Sequence, residues 1–175
     1  MINREGLHGH PLYFELLEQL EEECDAIPME KHTYERLTLQ FESSCWWAIE
    51  EREPVWFYVA LEGLGFLIEI SGDNDVHQIL QDMAQLHSDK NAGYAGHQNE
   101  NPLANFYASE EYIGISAYHG CLVRLCDKYE RIKHLRENPA NDKVNESIID
   151  TTRDLIAYAL IAAILLEESG EGDEE

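Results

Sequence analysis

Hydrophobic and polar positions follow two rhythms along this chain. From His10 to Glu23, HPLYFELLEQLEEE, the residues Leu12, Leu16, Leu17 and Leu20 recur at helical spacing with acids opposite. This predicts an amphipathic first helix opened by Pro11 and broken by Pro28. From Tyr34 the period falls to two, with Leu37, Leu39 and Phe41 alternating with Thr38, Gln40 and Glu42. CWWAIEE, VWFYVAL and FLIEI come next, short and rich in aromatic and β-branched residues, separated by Glu53-Pro54 or by Gly63 and Gly65. The pattern predicts a small antiparallel β-meander over about 34–70. The competing reading is two buried helices, because 48–52 and 60–62 do not resist helix. In either case Trp46, Trp47, Trp56, Phe57 and Tyr58 belong chiefly to the core.

Beyond the meander the helical period returns. Ser71-Gly72-Asp73-Asn74-Asp75 is a turn suited to capping a helix, and Val76, Ile79, Leu80, Met83 and Leu86 place one over 76–89. KNAGYAGHQNENPLANF, from Lys90 to Phe106, reads as a loop rich in side-chain amides. Lys90, Tyr94 and Asn105 are its candidate binding residues, set against a plain surface connection whose asparagines serve turn geometry. Over 115–137 a helix carries Arg124, Asp127, Lys128 and Arg131 on one face, beside an apolar face of Leu122, Leu125, Tyr129 and Ile132. A mixed charge stripe of this kind ordinarily means solvated pairs worth a few tenths of a kcal/mol. The short connection 138–143 makes this helix and the next an antiparallel hairpin.

That last helix, Val144 to Leu166, begins acidic and ends in an unbroken apolar run. Glu146, Asp150 and Asp154 are spaced four apart, and each such step advances only ~40° around a helix, so they form one stripe. Ile161, Ile164 and Leu165 continue it, which turns the acids toward the core. Converging, poorly hydrated carboxylates call for Mg²⁺, Mn²⁺ or basic side chains. The alternative is a solvated first turn whose acids are favoured by the helix dipole.

Composition narrows the function classes. The chain of 175 residues is 44% hydrophobic, enough for one ordinary domain, or for a small one with an elaboration. Its apolar run 155–166, about a dozen residues, is too short to span a bilayer. With no apolar leader after MINREGLHGHP, a soluble, cytoplasmic protein is expected. Cys24, Cys45, Cys121 and Cys126 show no CxxC pair and read as reduced thiols, and the eight histidines show no zinc-site spacing. The formal charge of −23 disfavours direct binding to nucleic-acid backbones. Part of it is the acidic tail after Glu167, which reads as disordered; the rest is solvated surface, metal ligands, or an acidic imitation of DNA aimed at a DNA-binding protein.

KNAGYAG, NPLANF, LVRLCDKYERI and NESIIDTTRDLIAYAL together resemble the phage and prophage family called the nucleotide modification associated domain, placed near the MazG-like all-α nucleoside triphosphate pyrophosphohydrolases. The resemblance covers about 76–168 and rests on an R-x-x-D-K-x-x-R helix followed by an E-x-x-x-D-x-x-x-D helix; either pattern alone is weak. HPLYFELL also looks like the opening of such proteins, as though the strand-rich segment had been inserted after it. The expected fold class is therefore α+β: a MazG-like, mostly α helical bundle with a small β-meander inserted near the N-terminus. Its divisions are an N-terminal helix (1–24), a β-rich insert (25–75), an all-α nucleotide-binding domain (76–168) and an acidic tail (169–175).

The resemblance implies a hydrolase that uses Mg²⁺ or Mn²⁺ to bind a nucleoside triphosphate or related nucleotide and release pyrophosphate. It makes Asp127, Glu146, Asp150 and Asp154 the catalytic and metal residues. Lys90, Arg124, Lys128 and Arg131 become phosphate partners, and Tyr94 and Asn105 contacts for base or sugar. One departure stands out: where MazG-like enzymes carry a glutamate pair E-x-x-E on the earlier helix, this chain has Arg124 and Asp127. That puts hydrolysis, though not binding, in question. A homodimer is expected, since 155–166 exceeds what one hairpin covers and relatives of this architecture assemble. The rival from another class is a non-enzymatic acidic protein that binds a host protein, of DNA-mimic or anti-defence type.

Overall fold

The computed structural model describes residues 1–26, 34–49, 55–95, 101–138 and 147–170. Among them the chain forms seven helices and no strand: α1 (Pro11–Ala26), α2 (Tyr34–Ile49), α3 (Trp56–Ser71), α4 (Val76–Ala95), α5 (Ala104–Ile113), α6 (Ala117–Glu137) and α7 (Ile148–Ser169). The expected α+β class, with its meander over 34–70, is thus overturned in favour of an all-helical fold.

The physical reason lies in what surrounds this stretch. In α3 every residue from Val59 to Ile68 is buried, so the helix has no solvent face and shows no amphipathic period. A strand buried on both sides and a helix buried all round write the same apolar run. In α2 the apparent alternation conceals a helical step: Leu37 and Phe41, four apart, are buried, whereas Leu39 between them is 68% exposed. The two segments join through Arg36, whose Nη2 donates to Oε1 of the buried Glu62 at 2.5 Å. A buried carboxylate is tolerable only with such a partner.

α3 and α7 are the central pair. Gly63 was expected to mark a strand boundary, yet it sits inside α3, where it lets α7 come close. A Cβ there would lie 2.9 Å from Ile156 Cγ1 and 3.3 Å from Leu155 Cδ2. The apolar run of α7 is therefore covered within the chain: Leu155, Ile156, Ala159, Leu160, Ile161, Ala162, Ile164 and Leu165 are all buried. The run itself needs no second subunit to cover it. α6 flanks α7 antiparallel, with Lys128 beside Asp154 at one level and the Cys121 thiol donating to the Tyr158 carbonyl at another. The Trp56 indole N–H donates to the Tyr118 hydroxyl at 2.9 Å and joins α3 to α6.

α1 closes the remaining side of the core with Tyr13, Leu17 and Leu20. The segment before it is tied down: Ile2 N–H donates to Glu18, Asn3 exchanges two hydrogen bonds with Gln81 of α4, and His8 N–H donates to Ser88 Oγ. The turn before α4 caps it as expected. Gly72 ends α3 at φ +71°, and Asp75 Oδ1 accepts from Gln78 N–H at 3.0 Å. The loop expected from Lys90 is shorter than the sequence implied, because α4 continues to Ala95 and α5 opens at Ala104. Lys90 and Asn91 consequently stand on a rigid helix.

Gly63→Val should destabilise the protein by about 2 kcal/mol or more, through overpacking against Ile156 and Leu155. Gly63→Ala should cost less, since alanine's helix propensity returns up to about 1 kcal/mol. Urea denaturation of both variants checks the ordering; equal stability of all three proteins would contradict the close approach.

Candidate functional site

Asp154 is the one acid of the predicted stripe that the described structure turns inward. Its carboxylate is 15% exposed and held from two helices: Lys90 Nζ of α4 lies 2.6 Å from Oδ1, and Lys128 Nζ of α6 lies 2.8 Å from Oδ2. Burial works to raise its pKa, but the hydrogen bonds from Lys128 and Lys90 and their charges outweigh it, so the group stays below the ordinary carboxylate range. Asp150 follows the solvated alternative. It is exposed in the first turn of α7, where its N–H donates to the Ser147 cap and Oδ2 accepts from the Ser147 hydroxyl at 2.7 Å. Glu146 lies outside the described residues.

Lys90 and Asp154 stand between two concavities. One is a partly open pocket between α1, α4, α5 and α7. Its walls are largely apolar, with Tyr13, Met83, Phe106, Tyr158 and Ile161, and its polar groups are few: His87, Asn91, Asn105 and Arg153. The other is a charged groove that shares Met83, Leu86, Lys90, Arg153 and Asp154 with the pocket and adds Asp82 and Asp150. A mostly apolar chamber with a handful of polar groups, opening onto charges, suits a molecule with an aromatic part and an anionic part.

Two polar groups in the walls lack partners. The Tyr13 hydroxyl is buried without a hydrogen bond among the described residues, and so is Arg153 Nε. Burial, then the charge of Asp154, pushes the Tyr13 phenol far above its ordinary value, so it remains a neutral donor. Unsatisfied buried donors are rare because each forgoes water without recompense, and a ligand is one way to satisfy them.

His87 is held against Tyr13 in a stack, centroids 3.9 Å apart and planes at 15°. Burial, then the charges of His10 and Lys90, lowers its pKa to about 4. The ring is therefore neutral at pH 7, with Nε2 lying 3.4 Å from Asn91 Nδ2. The chain before α1 presses onto this ring at Gly9, where a Cβ would lie 2.7 Å from His87 Cδ2.

Of the other expected residues, Asn105 lines the pocket. Tyr94 falls near the end of α4, and its side chain lies outside the described part. Arg124 sits 5.7 Å from the centre of the Phe106 ring, supporting a pocket wall rather than lining the chamber. Arg131 is half-buried on α6, and Asp127 is exposed there; neither lines the pocket or the groove. Tyr13, His87, Asn91, Arg153 and Tyr158 were not singled out from the sequence. Once α4 is carried past Asp89, His87, Lys90 and Asn91 fall at i, i+3 and i+4, a spacing the sequence displays.

Among the described residues no group of three or more His, Cys, Asp or Glu side chains is gathered to hold a metal ion. The donor set fits Mg²⁺ in one way only: Asp154 already serves two lysines, so a cation would share Asp150 and Asp154 with the oxygens of a phosphate chain and water. Mg²⁺ is commonly held in that manner.

Stability should fall as the pH drops from about 6.5 to about 4. The folded His87 pKa, lowered to about 4, lies below the unfolded value, so its contribution is complete above about 6.5 and lost as the pH falls through the folded value. The effect is on the order of 3 kcal/mol. His87→Phe, which keeps the stack, should flatten this limb in denaturation midpoints measured across the range.

Comparison with known proteins bears on the hairpin of α6 and α7. No curated protein and no solved structure matches the chain. Among the described residues no helix is long and apolar enough to cross a membrane. Residues 117–166, the stretch that carries Lys128, Asp150 and Asp154, match the family model described as Nucleotide modification associated domain 1.

Proposed function

We propose that the pocket between α1, α4, α5 and α7 binds a nucleotide, its base in the aromatic chamber and its phosphates at Lys90, Lys128 and Arg153. The unpartnered Tyr13 hydroxyl carries this reading: a buried donor on a residue that lines the chamber, as Lys90 and Asp154 also do, is where a polar ligand completes the wall. The match over 117–166 supports it at the level of nucleotide chemistry. Tyr13, Phe106 and Tyr158 offer ring faces to a base, while Asn91 and Asn105 offer donors and acceptors to its edge. The lysines are pre-positioned by Asp154, which lowers the ordering cost of receiving a phosphate.

The finer reading is Mg²⁺- or Mn²⁺-dependent hydrolysis of a nucleoside triphosphate with release of pyrophosphate, in the manner of the MazG-like enzymes. When bound, the cation would neutralise phosphate charge. Asp150 and Asp154 would hold it, Lys128 and Arg153 would steady the phosphate oxygens, and the apolar wall would limit water to the attacking side.

The test is a calorimetric titration of the folded chain with nucleoside mono-, di- and triphosphates, with and without Mg²⁺ or Mn²⁺, alongside an assay for pyrophosphate. Lys128→Met should weaken binding by about tenfold or more, the cost of one charge-assisted bond. Tyr13→Phe gives a sharper result. It removes a hydroxyl unpaired in the free protein, so the free protein should be as stable or more so, while nucleotide affinity falls about three- to tenfold. Failure of every nucleotide to bind would sink the proposal; binding without pyrophosphate would leave a nucleotide-binding protein without turnover.

A further inference from the structure

Away from the pocket, α2 lies antiparallel along α6 in a seam whose register can be followed turn by turn. Arg136 of α6 lies over the Tyr34 ring at 4.1 Å and reaches Glu35 Oε1 at 3.3 Å. One to two turns on, Phe41 stacks on Tyr129 with centroids 3.9 Å apart and planes at 13°. One turn further along each helix come Cys45 and Cys126, which this register sets opposite one another across the seam. Both are free thiols; Cys45 is half-buried and Cys126 is exposed. The stacked rings hold the helices together one turn from the sulfurs. We propose that Cys45 and Cys126 form a dithiol site which a low-molecular-weight disulfide, such as oxidised glutathione, converts to an intramolecular disulfide joining α2 to α6.

The two thiols divide the work. Cys126 is the exposed member of the pair, so a small disulfide reaches its sulfur first. Attack on a disulfide proceeds through the thiolate of an accessible thiol. Cys45 is pushed up, first by its hydrogen bond to Cys126, then by burial and by the charges of Cys126 and Glu42. The Cys126 thiolate attacks one sulfur of the small disulfide, whose S–S bond breaks; one small thiolate leaves and takes a proton from water. Once Cys126 is capped, both its hydrogen bond and its charge are gone, so Cys45 can lose its proton to solvent. Cys45 then attacks Cys126 Sγ and expels the second small thiol. Two electrons pass from the protein dithiol to the reagent, giving one protein disulfide and two small thiols. Cys24 and Cys121 are buried, and burial raises the Cys121 thiol far above its ordinary value, so they stand apart from this chemistry.

The bridge would tie α2 to the helix that bears Lys128, two residues from Cys126. The experiment exposes the folded full-length chain to oxidised glutathione at neutral pH, quenches with acid, and reads intact mass and peptide cross-links. The expected product has lost two hydrogens and yields a Cys45–Cys126 linked peptide pair. Cys45→Ser should stop at one glutathione retained on Cys126, and Cys126→Ser should leave Cys45 unmodified over the same time. Glutathione persisting on Cys126 of the unsubstituted chain, a bridge between other cysteines or between chains, or equal modification of Cys45 in Cys126→Ser would each overturn the proposal. Should a variant fold poorly by circular dichroism, the product formed by the unsubstituted chain decides.

Discussion

The contact between α3 and α7 at Gly63 is the constraint on which the rest is built. A helix buried on every side has to be enclosed by its neighbours, and the missing side chain lets α7 approach near enough to do so. With that face of α7 committed to Ile156, Leu155 and Leu160, helical periodicity fixes where its other positions point. Asp154 emerges where α4 and α6 meet α7, and Asp150, one turn nearer the N-terminus, reaches solvent. The site's geometry is thus a consequence of packing in the core. It sits on three helices rather than on loops, and this limits how far its charges can drift.

Electrostatics then sets what the site can do. In a chain of net charge −23, two lysines brought to one carboxylate make a local reversal of sign. Taken together, Lys90, Lys128 and Asp154 still carry one positive charge, while Arg153 is balanced by Asp150, 3.5 Å away. The groove an anion would enter is lined by Asp82 and Asp150 as well. A phosphate chain accompanied by a divalent cation passes those carboxylates more easily than a bare one, because the cation cancels the repulsion at the entrance. On the proposed reading, this favours a metal-bound nucleotide over free phosphate without requiring a metal cage in the protein.

Much of the helical framework was legible in the sequence: α1, α4, α6 and α7 follow from apolar spacing and caps. The inward turn of Asp154 followed from the same arithmetic, and Lys90, Lys128 and Asn105 stood out by residue type and position. What could not be read had identifiable causes. The α3 segment is apolar on all sides, so its pattern held no period, and its glycines looked like turn punctuation when they serve helix packing. Leu37, Leu39 and Phe41 mimicked a strand because one exposed leucine filled the gap between two buried positions. Asn and Gly near the end of α4 masked the continuation of the helix, and with it the grouping of His87, Lys90 and Asn91. The pairing of Cys45 with Cys126 joins elements far apart in the chain, and no local spacing announces it.

The walls of the pocket show where stability has been yielded. Filling the chamber with aliphatic side chains would bury more apolar surface and leave no donor unpaired; instead the chain keeps a buried phenol and an Arg153 nitrogen without partners, and a histidine that burial holds neutral. The phenol and the Arg153 nitrogen work against the folded state when nothing is bound, by about 1–3 kcal/mol for an unsatisfied polar group, and the histidine does so as the pH falls. The three lie together, on one chamber, next to the only acid of the described stripe that points inward. Buried atoms without a partner also occur outside the pocket's lining, at His10 Nδ1 and Thr38 Oγ1; what marks this place is that two of them, on Tyr13 and Arg153, line one pocket, where a single ligand would accept from both. Unmet hydrogen-bonding capacity beside the charged cluster of Asp154, Lys90 and Lys128 is what the proposed nucleotide would satisfy.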